Sequence, residues 1–396
     1  TVIRTDVDHH HLIYTSHHIL MDGWSSSRLL GEVLQRYHGQ LPAASAGRYR
    51  DYIEWLQAQD AQASEQFWRG QLSALETPTL LGEVLKPEMP EPGYADHHYA
   101  LDQAATRKLG DFAREQRVTL NTLVQAAWLL LLQRYTGQAA VTFGAIVAGR
   151  PAGLAGIEDQ LGLFINTLPV VSGPRSEQRV GDWVQQLQEH NLALREHEHS
   201  PLYDIQRWAG HAGETLFDSI LVFENYPVSE VLQQAAPDGL VFGSVINQEQ
   251  THYPLTLVVQ AGGGLGGGFN FDRQRFSEAA VARLVGHFDH LLQALVSDAQ
   301  APLGELALLN DTERQHLLHD WNATGVDFAE ANIHELIAVQ AQATPDAPAL
   351  VLGEQHLSYA ELDRQANRLA QRLRGLGVGP DVLVGISLER SLEMVV

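Results

Sequence analysis

The sequence contains no cysteine. A disulfide framework, thiolate zinc sites and a cysteine nucleophile are therefore excluded, and the composition fits a reducing, cytoplasmic compartment. Basic residues are scarce too, 26 Lys and Arg against 48 Asp and Glu, for a formal net charge of -22. So acidic a chain repels phosphate backbones, which excludes nucleic acid as an expected partner. No apolar run approaches the roughly 18 residues of a membrane span and no signal peptide opens the chain, so no membrane is expected as a partner.

What is present is enough apolar material, 44% of 396 residues, to build a sizeable core and two or three domains. Helical periodicity is clearest over residues 25–38, 60–73, 121–135, 180–196 and 277–295. Short apolar runs bounded by turn residues lie between these segments, at 141–147, 163–171, 220–223 and 255–260, and predict strands. The pattern is α/β, a sheet covered by helices. In the 121–135 segment Leu123, Ala126, Ala127, Leu130 and Leu131 spread around the axis, so this helix is expected to be buried on nearly all sides, with Gly137 as its stop.

The densest chemistry lies in Ser16-His17-His18-Ile19-Leu20-Met21-Asp22-Gly23-Trp24. The β-rich run His11-Leu12-Ile13-Tyr14-Thr15 precedes it, so the histidines are expected where a strand ends. Ser25 is expected as the N-cap of the helix that follows, closed by Gly39. Adjacent histidines on a strand point to opposite sides, so one faces a cavity and the other is packed and hydrogen-bonded. An imidazole with an ordinary pKa near ~6.5 can take or hold a proton while an amine or hydroxyl attacks a thioester. Asp22 is expected to lock the corner by pairing with an Arg, and Gly23 to allow a close backbone approach.

Other groupings carry blander expectations. Asp8-His9-His10-His11 cannot converge on one metal ion, because neighbouring strand residues splay apart, and no metal is expected. The glycine run 262–268 has no following Lys-Ser or Lys-Thr and is expected to be a hairpin turn, not a phosphate loop. Arg195-Glu196-His197-Glu198-His199 is expected to be a solvated helix end, and Tyr49, Tyr52 and Trp55 to pack one helix face.

Several further segments follow the double histidine in order. They are Tyr49 to Trp55, Gly149-Arg150-Pro151, Leu161 to Pro169, His199-Ser200-Pro201-Leu202, Leu216-Phe217-Asp218-Ser219, and Phe223-Glu224-Asn225-Tyr226-Pro227. In this series, and in the intact H-H-x-x-x-D-G signature at His17 to Gly23, the chain resembles the condensation domains of non-ribosomal peptide synthetases. Beyond Trp321-Asn322-Ala323-Thr324, the string Leu357-Ser358-Tyr359-Ala360-Glu361-Leu362 is similar to the opening motif of an amino-acid adenylation domain. The expected organisation is the end of a condensation N-terminal lobe at 1–24, the C-terminal lobe at 25–307, a linker at 308–332 and the start of an adenylation domain at 333–396.

The resemblance implies a chloramphenicol-acetyltransferase-like fold, two related α/β lobes meeting in a V with a tunnel between them. It implies amide-bond formation between an acyl or peptidyl donor and an aminoacyl acceptor, both thioesters on the phosphopantetheine arms of upstream and downstream carrier domains. The catalytic set it carries over is His17, His18, Asp22 and Gly23, with His18 facing the amine as general base or positioning group. Trp24, Arg150 and Asn166 are carried over to the tunnel, and Arg150 is the candidate partner of Asp22, with an Arg of the missing lobe as the competitor. No directly bound cofactor is implied; most of the N-terminal lobe and the ATP site are expected outside these residues, so the chain alone is expected to be inactive. Epimerisation-type and carrier-docking scaffold readings share the fold. A heterocyclisation domain is contradicted by His17-His18, and a coenzyme A acetyltransferase by the adenylation-like continuation.

Overall fold

The apolar runs and the glycine-rich segment join into one sheet because each supplies an alternating or wholly apolar face. The structure is a computed structural model that describes residues 1–41, 47–224, 240–243, 251–261, 264–327 and 330–396. It divides into two compact units, Thr1–His316 and Leu317–Val396. Asn225, Tyr226 and Pro227, singled out in the sequence, lie outside the described residues.

The first unit opens with strands β1 (Val2–Arg4) and β2 (His10–Leu12), then helices α1 (Gly23–Tyr37), α2 (Tyr49–Gln57), α3 (Ala61–Leu72) and α4 (Leu81–Val84). Next come β3 (Tyr94–Ala100), α5 (Gln103–Gln116), α6 (Leu120–Thr136), β4 (Val141–Val147), β5 (Asn166–Ser172), α7 (Val180–Glu196) and α8 (Leu202–Trp208). They are followed by β6 (Ser219–Glu224), β7 (Leu255–Ala261), β8 (Leu265–Asp272), α9 (Glu278–Leu295) and α10 (Asp311–Gln315). Among the described residues the main sheet has six strands in the order β3-β8-β7-β6-β4-β5. β6 lies parallel to β4 and β7, and the other neighbours are antiparallel.

Helix α6 is the spine of the core. Residues 122–132 are all buried, Thr119 caps its start by accepting from the Thr122 N–H, and Gly137 ends it at φ 69°. Only a residue without a Cβ adopts that left-handed angle cheaply, so the expected stop is realised. Trp128, Phe269 and Phe288 from α6, β8 and α9 meet edge to face with their rings about 6 Å apart. Of the glycine run, Gly262 and Gly263 lie outside the described residues, and Gly266, Gly267 and Gly268 belong to β8, which pairs antiparallel with β7. A Cβ at Gly267 would lie 1.9 Å from the Val258 carbonyl oxygen, so strand packing excludes a side chain there.

Three local expectations are corrected. β2 stops at Leu12, because β1 offers register partners only from Val2 to Arg4, so His17 and His18 follow in an irregular segment and a turn and not at a strand end. The N-cap of α1 is Asp22 and not Ser25, since its carboxylate accepts the Ser25 N–H at 2.8 Å. The run at 163–171 becomes a strand only from Asn166, because the peptide groups before it bind the start of α1.

The first unit includes α10, although 308–316 was expected to be linker. Glu313 caps that helix through the Asn310 N–H and also meets His287 Nε2 at 3.0 Å, while His287 Nδ1 is 2.7 Å from the Tyr135 hydroxyl. The second unit holds α11 (Ile333–Ala343), the hairpin of β9 (Pro348–Leu352) and β10 (Gln355–Ser358), α12 (Tyr359–Gly375) and the short α13 (Leu392–Val395). Ser358 and Glu361 form a capping box at the start of α12.

Candidate functional site

The signature segment folds as a corner because a loop carries it into the N-terminus of a helix. The Asp22 carboxylate replaces the missing intrahelical acceptor for the first turn. The same carboxylate accepts the Phe164 N–H at 3.2 Å, and the Asp22 N–H donates to the Gly162 carbonyl at 3.1 Å. Ser25 completes the seam, its hydroxyl donating to the Gly162 carbonyl at 2.9 Å and accepting the Gly162 N–H at 3.1 Å. Two segments some 140 residues apart in sequence are thus held by four hydrogen bonds between Asp22 or Ser25 and residues 162–164.

Arg150 closes this corner. Its Nη2 lies 3.3 Å from Asp22 Oδ1 and donates to the Ser25 hydroxyl at 2.9 Å, and its Nη1 donates to the Ile157 and Gln160 carbonyls. The side chains of Arg150 and Asp22 are 5% and 1% exposed, so the pair is a desolvated one that survives because nearly every polar direction has a partner. The guanidinium also sits over the Phe164 ring, 4.0 Å from its centroid, and 5.6 Å from the Trp24 ring. The Trp24 indole N–H donates to the Glu158 carbonyl at 3.0 Å. Pairing of Asp22 with Arg150 is what the sequence proposed.

Beneath the guanidinium, Tyr52 and Phe164 form a small buried cluster, with Tyr49 edge-on to Phe164 and Trp55 stacked on Tyr52. The Tyr49 hydroxyl donates to the Leu163 carbonyl at 2.7 Å. Burial, and secondarily the Asp22 charge, raises the Tyr49 pKa, and burial pushes Tyr52 up to about 12, so both phenols stay neutral. The one-face packing expected of Tyr49, Tyr52 and Trp55 is therefore the wall behind the corner. Gly162 fits this wall because a Cβ there would lie 2.2 Å from the Tyr49 ring.

His17 and His18 are exposed. The packed histidine expected of the pair is not found: His17 accepts the Ile19 N–H at Nδ1, 3.1 Å away, which folds the turn without burying the ring. Gly23 does not have a left-handed backbone, and a Cβ added there meets nothing within 4 Å, so among the described residues no atom makes a close approach at that position. Asn166 uses its amide N–H groups on the Glu198 and Ser200 carbonyls, at 2.8 and 2.7 Å. It therefore clamps the segment after α7.

That segment is where the sequence reading fell short. His197 and His199 are half-buried, and both ring systems reach one hydroxyl: Ser64 Oγ lies 3.4 Å from His197 Nδ1 and 3.2 Å from His199 Nε2. Spacing of i and i+2 after a helix gives no signal for convergence on a serine 133 residues upstream. Among the described residues, no group of His, Asp and Glu is arranged to hold a metal ion. No described helix is long and apolar enough to cross a membrane.

A helix-capping Asp locked to an Arg, with two exposed histidines just ahead of the cap, beside a mixed sheet covered by helices, describes an α/β domain with a candidate site at a helix N-terminus. The condensation-domain family matches residues 1–318 and the AMP-binding enzyme family residues 337–396. The chain therefore belongs to the condensation-domain family of non-ribosomal peptide synthetases, followed by the beginning of an AMP-binding domain. It is 35% identical over 395 residues to tyrocidine synthase 2 of Brevibacillus parabrevis, covering 97% of this chain and 11% of that protein. It is 33% identical over 394 residues to surfactin synthase subunit 3 of Bacillus subtilis (strain 168), covering 97% of this chain and 30% of that protein. The chain spans less than a third of the length of these relatives. Its fold is shared with the first condensation domain of the calcium-dependent antibiotic synthetase solved with a substrate analogue, at TM-score 0.57 and 21% identity over 74% of this chain and 66% of that one. A four-domain nonribosomal peptide synthetase bound to AMP and glycine matches at TM-score 0.72 and 20% identity, over 90% of this chain and 29% of that one.

Proposed function

We propose that the first unit supplies His18 to an amide-forming reaction between two carrier-bound thioesters. The single observation that carries this reading is the corner itself: Asp22 is spent on the backbone and Arg150, which leaves two exposed imidazoles ahead of the cap, with His17 Nδ1 taken up by the Ile19 N–H. The acceptor amine attacks the donor thioester carbonyl, the C–N bond forms and the C–S bond breaks. The donor carrier leaves as its pantetheine thiol, and the proton lost by the amine replaces the one the thiolate needs. His18 takes or holds that proton, or orients the amine and stabilises the developing charge. Asp22 and Arg150 keep the turn that presents it, so they act through geometry. His17 shapes the turn by accepting the Ile19 N–H.

The substrates are an acyl or peptidyl thioester from an upstream carrier domain and an aminoacyl thioester from a downstream one. The open volume at the Gly23 Cβ position fits close passage of a slender pantetheine arm. We place Trp24 on the tunnel wall at the corner, with the buried Arg150 behind it and Asn166 acting through its clamp on the segment after α7. We assign the work to the cytoplasm, with the condensation part at residues 1–307, a connecting segment at 308–332 whose first residues, to His316, stay with the first unit, and the adenylation start at 333–396. In the intact synthetase, supplying loaded donor and acceptor carriers should yield the elongated acceptor thioester by mass spectrometry. Loaded carriers that remain unchanged while adenylation proceeds would refute the reading.

A further inference from the structure

Behind the corner lies a second titratable group that the reaction above does not use. Ser64 is 3% exposed, so no bulk water replaces a lost partner, and its hydroxyl carries one proton for two imidazole nitrogens. The arrangement is satisfied when one histidine offers a lone pair and the other an N–H. It fails when both rings are protonated, because both nitrogens then donate, the serine proton has no acceptor in the hub and two cations face each other with ring centroids 6.2 Å apart.

The hub is wired to the corner through contacts already described. His199 meets Trp55 edge to face, Trp55 stacks on Tyr52, and Tyr52 packs on Phe164. Asn166 holds the Glu198 and Ser200 carbonyls on either side of His199, and lies two residues after Phe164, whose N–H binds Asp22. Phe67 stacks on His197 at 4.1 Å and restricts its rotation.

We propose that Ser64, His197 and His199 form a proton-sensitive brace that positions the Phe164–Asp22 side of the site and holds it until both imidazoles are protonated. These are positioning residues, and the proposal deepens the functional reading above on which its catalytic arm rests. Burial lowers both histidine pKa values; the neighbouring His197 charge lowers His199 further, and Glu196 opposes the effect at His197. The other charged or titratable groups around the hub are Tyr52, which is neutral, Glu198 and Arg195 on the same segment, the Glu65–Arg69 pair of α3 and the Asp204–Arg207 pair of α8. The two pairs are internally compensated.

The test follows the Phe164 amide and the histidine ring signals of this chain by NMR as pH falls. The Phe164 amide should titrate in step with His197 and His199, below the ordinary imidazole range. In His197→Asn the His199 midpoint should move to higher pH and the Phe164 step should be lost, because a single cation leaves the serine proton an acceptor in the new amide oxygen. In the double variant His197→Asn/His199→Asn that step should vanish while sheet amides such as Phe143 keep their dispersion. A Phe164 step unchanged in His197→Asn overturns the brace whether or not the double variant folds. In the intact synthetase the acid limb of condensation should shift to lower pH in His197→Asn. A coupled NMR step without that shift overturns the positioning claim and leaves the functional reading standing. Absence of condensation in every form refutes the functional reading and leaves the NMR arm to decide the brace.

Discussion

Replacing Asp22 with Ala strands the Arg150 guanidinium in a site where only 5% of its side chain is exposed, and removes the cap of α1. Breaking a buried pair from one side costs about 3–5 kcal/mol, so Asp22→Ala should lower the midpoint of chemical denaturation as well as the rate. An unchanged midpoint with a dead enzyme would assign Asp22 to the chemistry instead. The two glycines of the site should behave oppositely. Gly162→Ala drives a Cβ into the Tyr49 ring and should cost about 1–3 kcal/mol by overpacking. Gly23→Ala fills open space in the first turn of a helix and should leave stability unchanged or raise it by up to about 1 kcal/mol. If a pantetheine arm passes there, the same substitution should reduce condensation; full activity would remove Gly23 from the substrate path.

At the scale of elements, α7 and its C-cap carry three histidines whose pKa values are lowered by burial: His190, His197 and His199. A histidine depressed in the folded state binds fewer protons there than in the unfolded chain, which takes them up near ~6.5. Stability from these groups is therefore present above that pH and is lost as pH falls below it, down to the folded values. Thermal denaturation at pH 7.5 and 5.5 should show a lower Tm at the acid value, with a smaller difference in His190→Asn. An equal difference in that variant would show that His190 does not contribute. These elements also mark how far sequence carried the reading. α7 and β4 match their expected bounds because an amphipathic stripe and a wholly apolar run each signal one environment along their full length. The start of β5 was misjudged because residues 162–164 are as apolar as the strand but spend their peptide groups on Asp22 and Ser25. The Ser64–His197–His199 hub was invisible because convergence of distant residues leaves no periodic trace.

At the scale of the molecule, the first compact unit closes at His316 and the condensation match at residue 318, and the AMP-binding match begins at 337. Glu313 ties α10 to His287, so the accessible stretch should start after that helix. Limited proteolysis should cut first between Ala323 and Asn332, releasing a fragment that retains α6 and the main sheet. Initial cleavage near Gly137 would mean that the unit is divided elsewhere. The central claim is that an imidazole presented by the Asp22–Arg150 corner acts on the acceptor amine. It is tested most directly in the intact synthetase with carriers loaded beforehand, which bypasses adenylation, by comparing single-turnover amide formation in wild type, His17→Ala and His18→Ala. The account predicts near-complete loss in His18→Ala with the denaturation midpoint preserved, since the ring is exposed, and a lesser effect in His17→Ala. Wild-type amide formation by His18→Ala would contradict it.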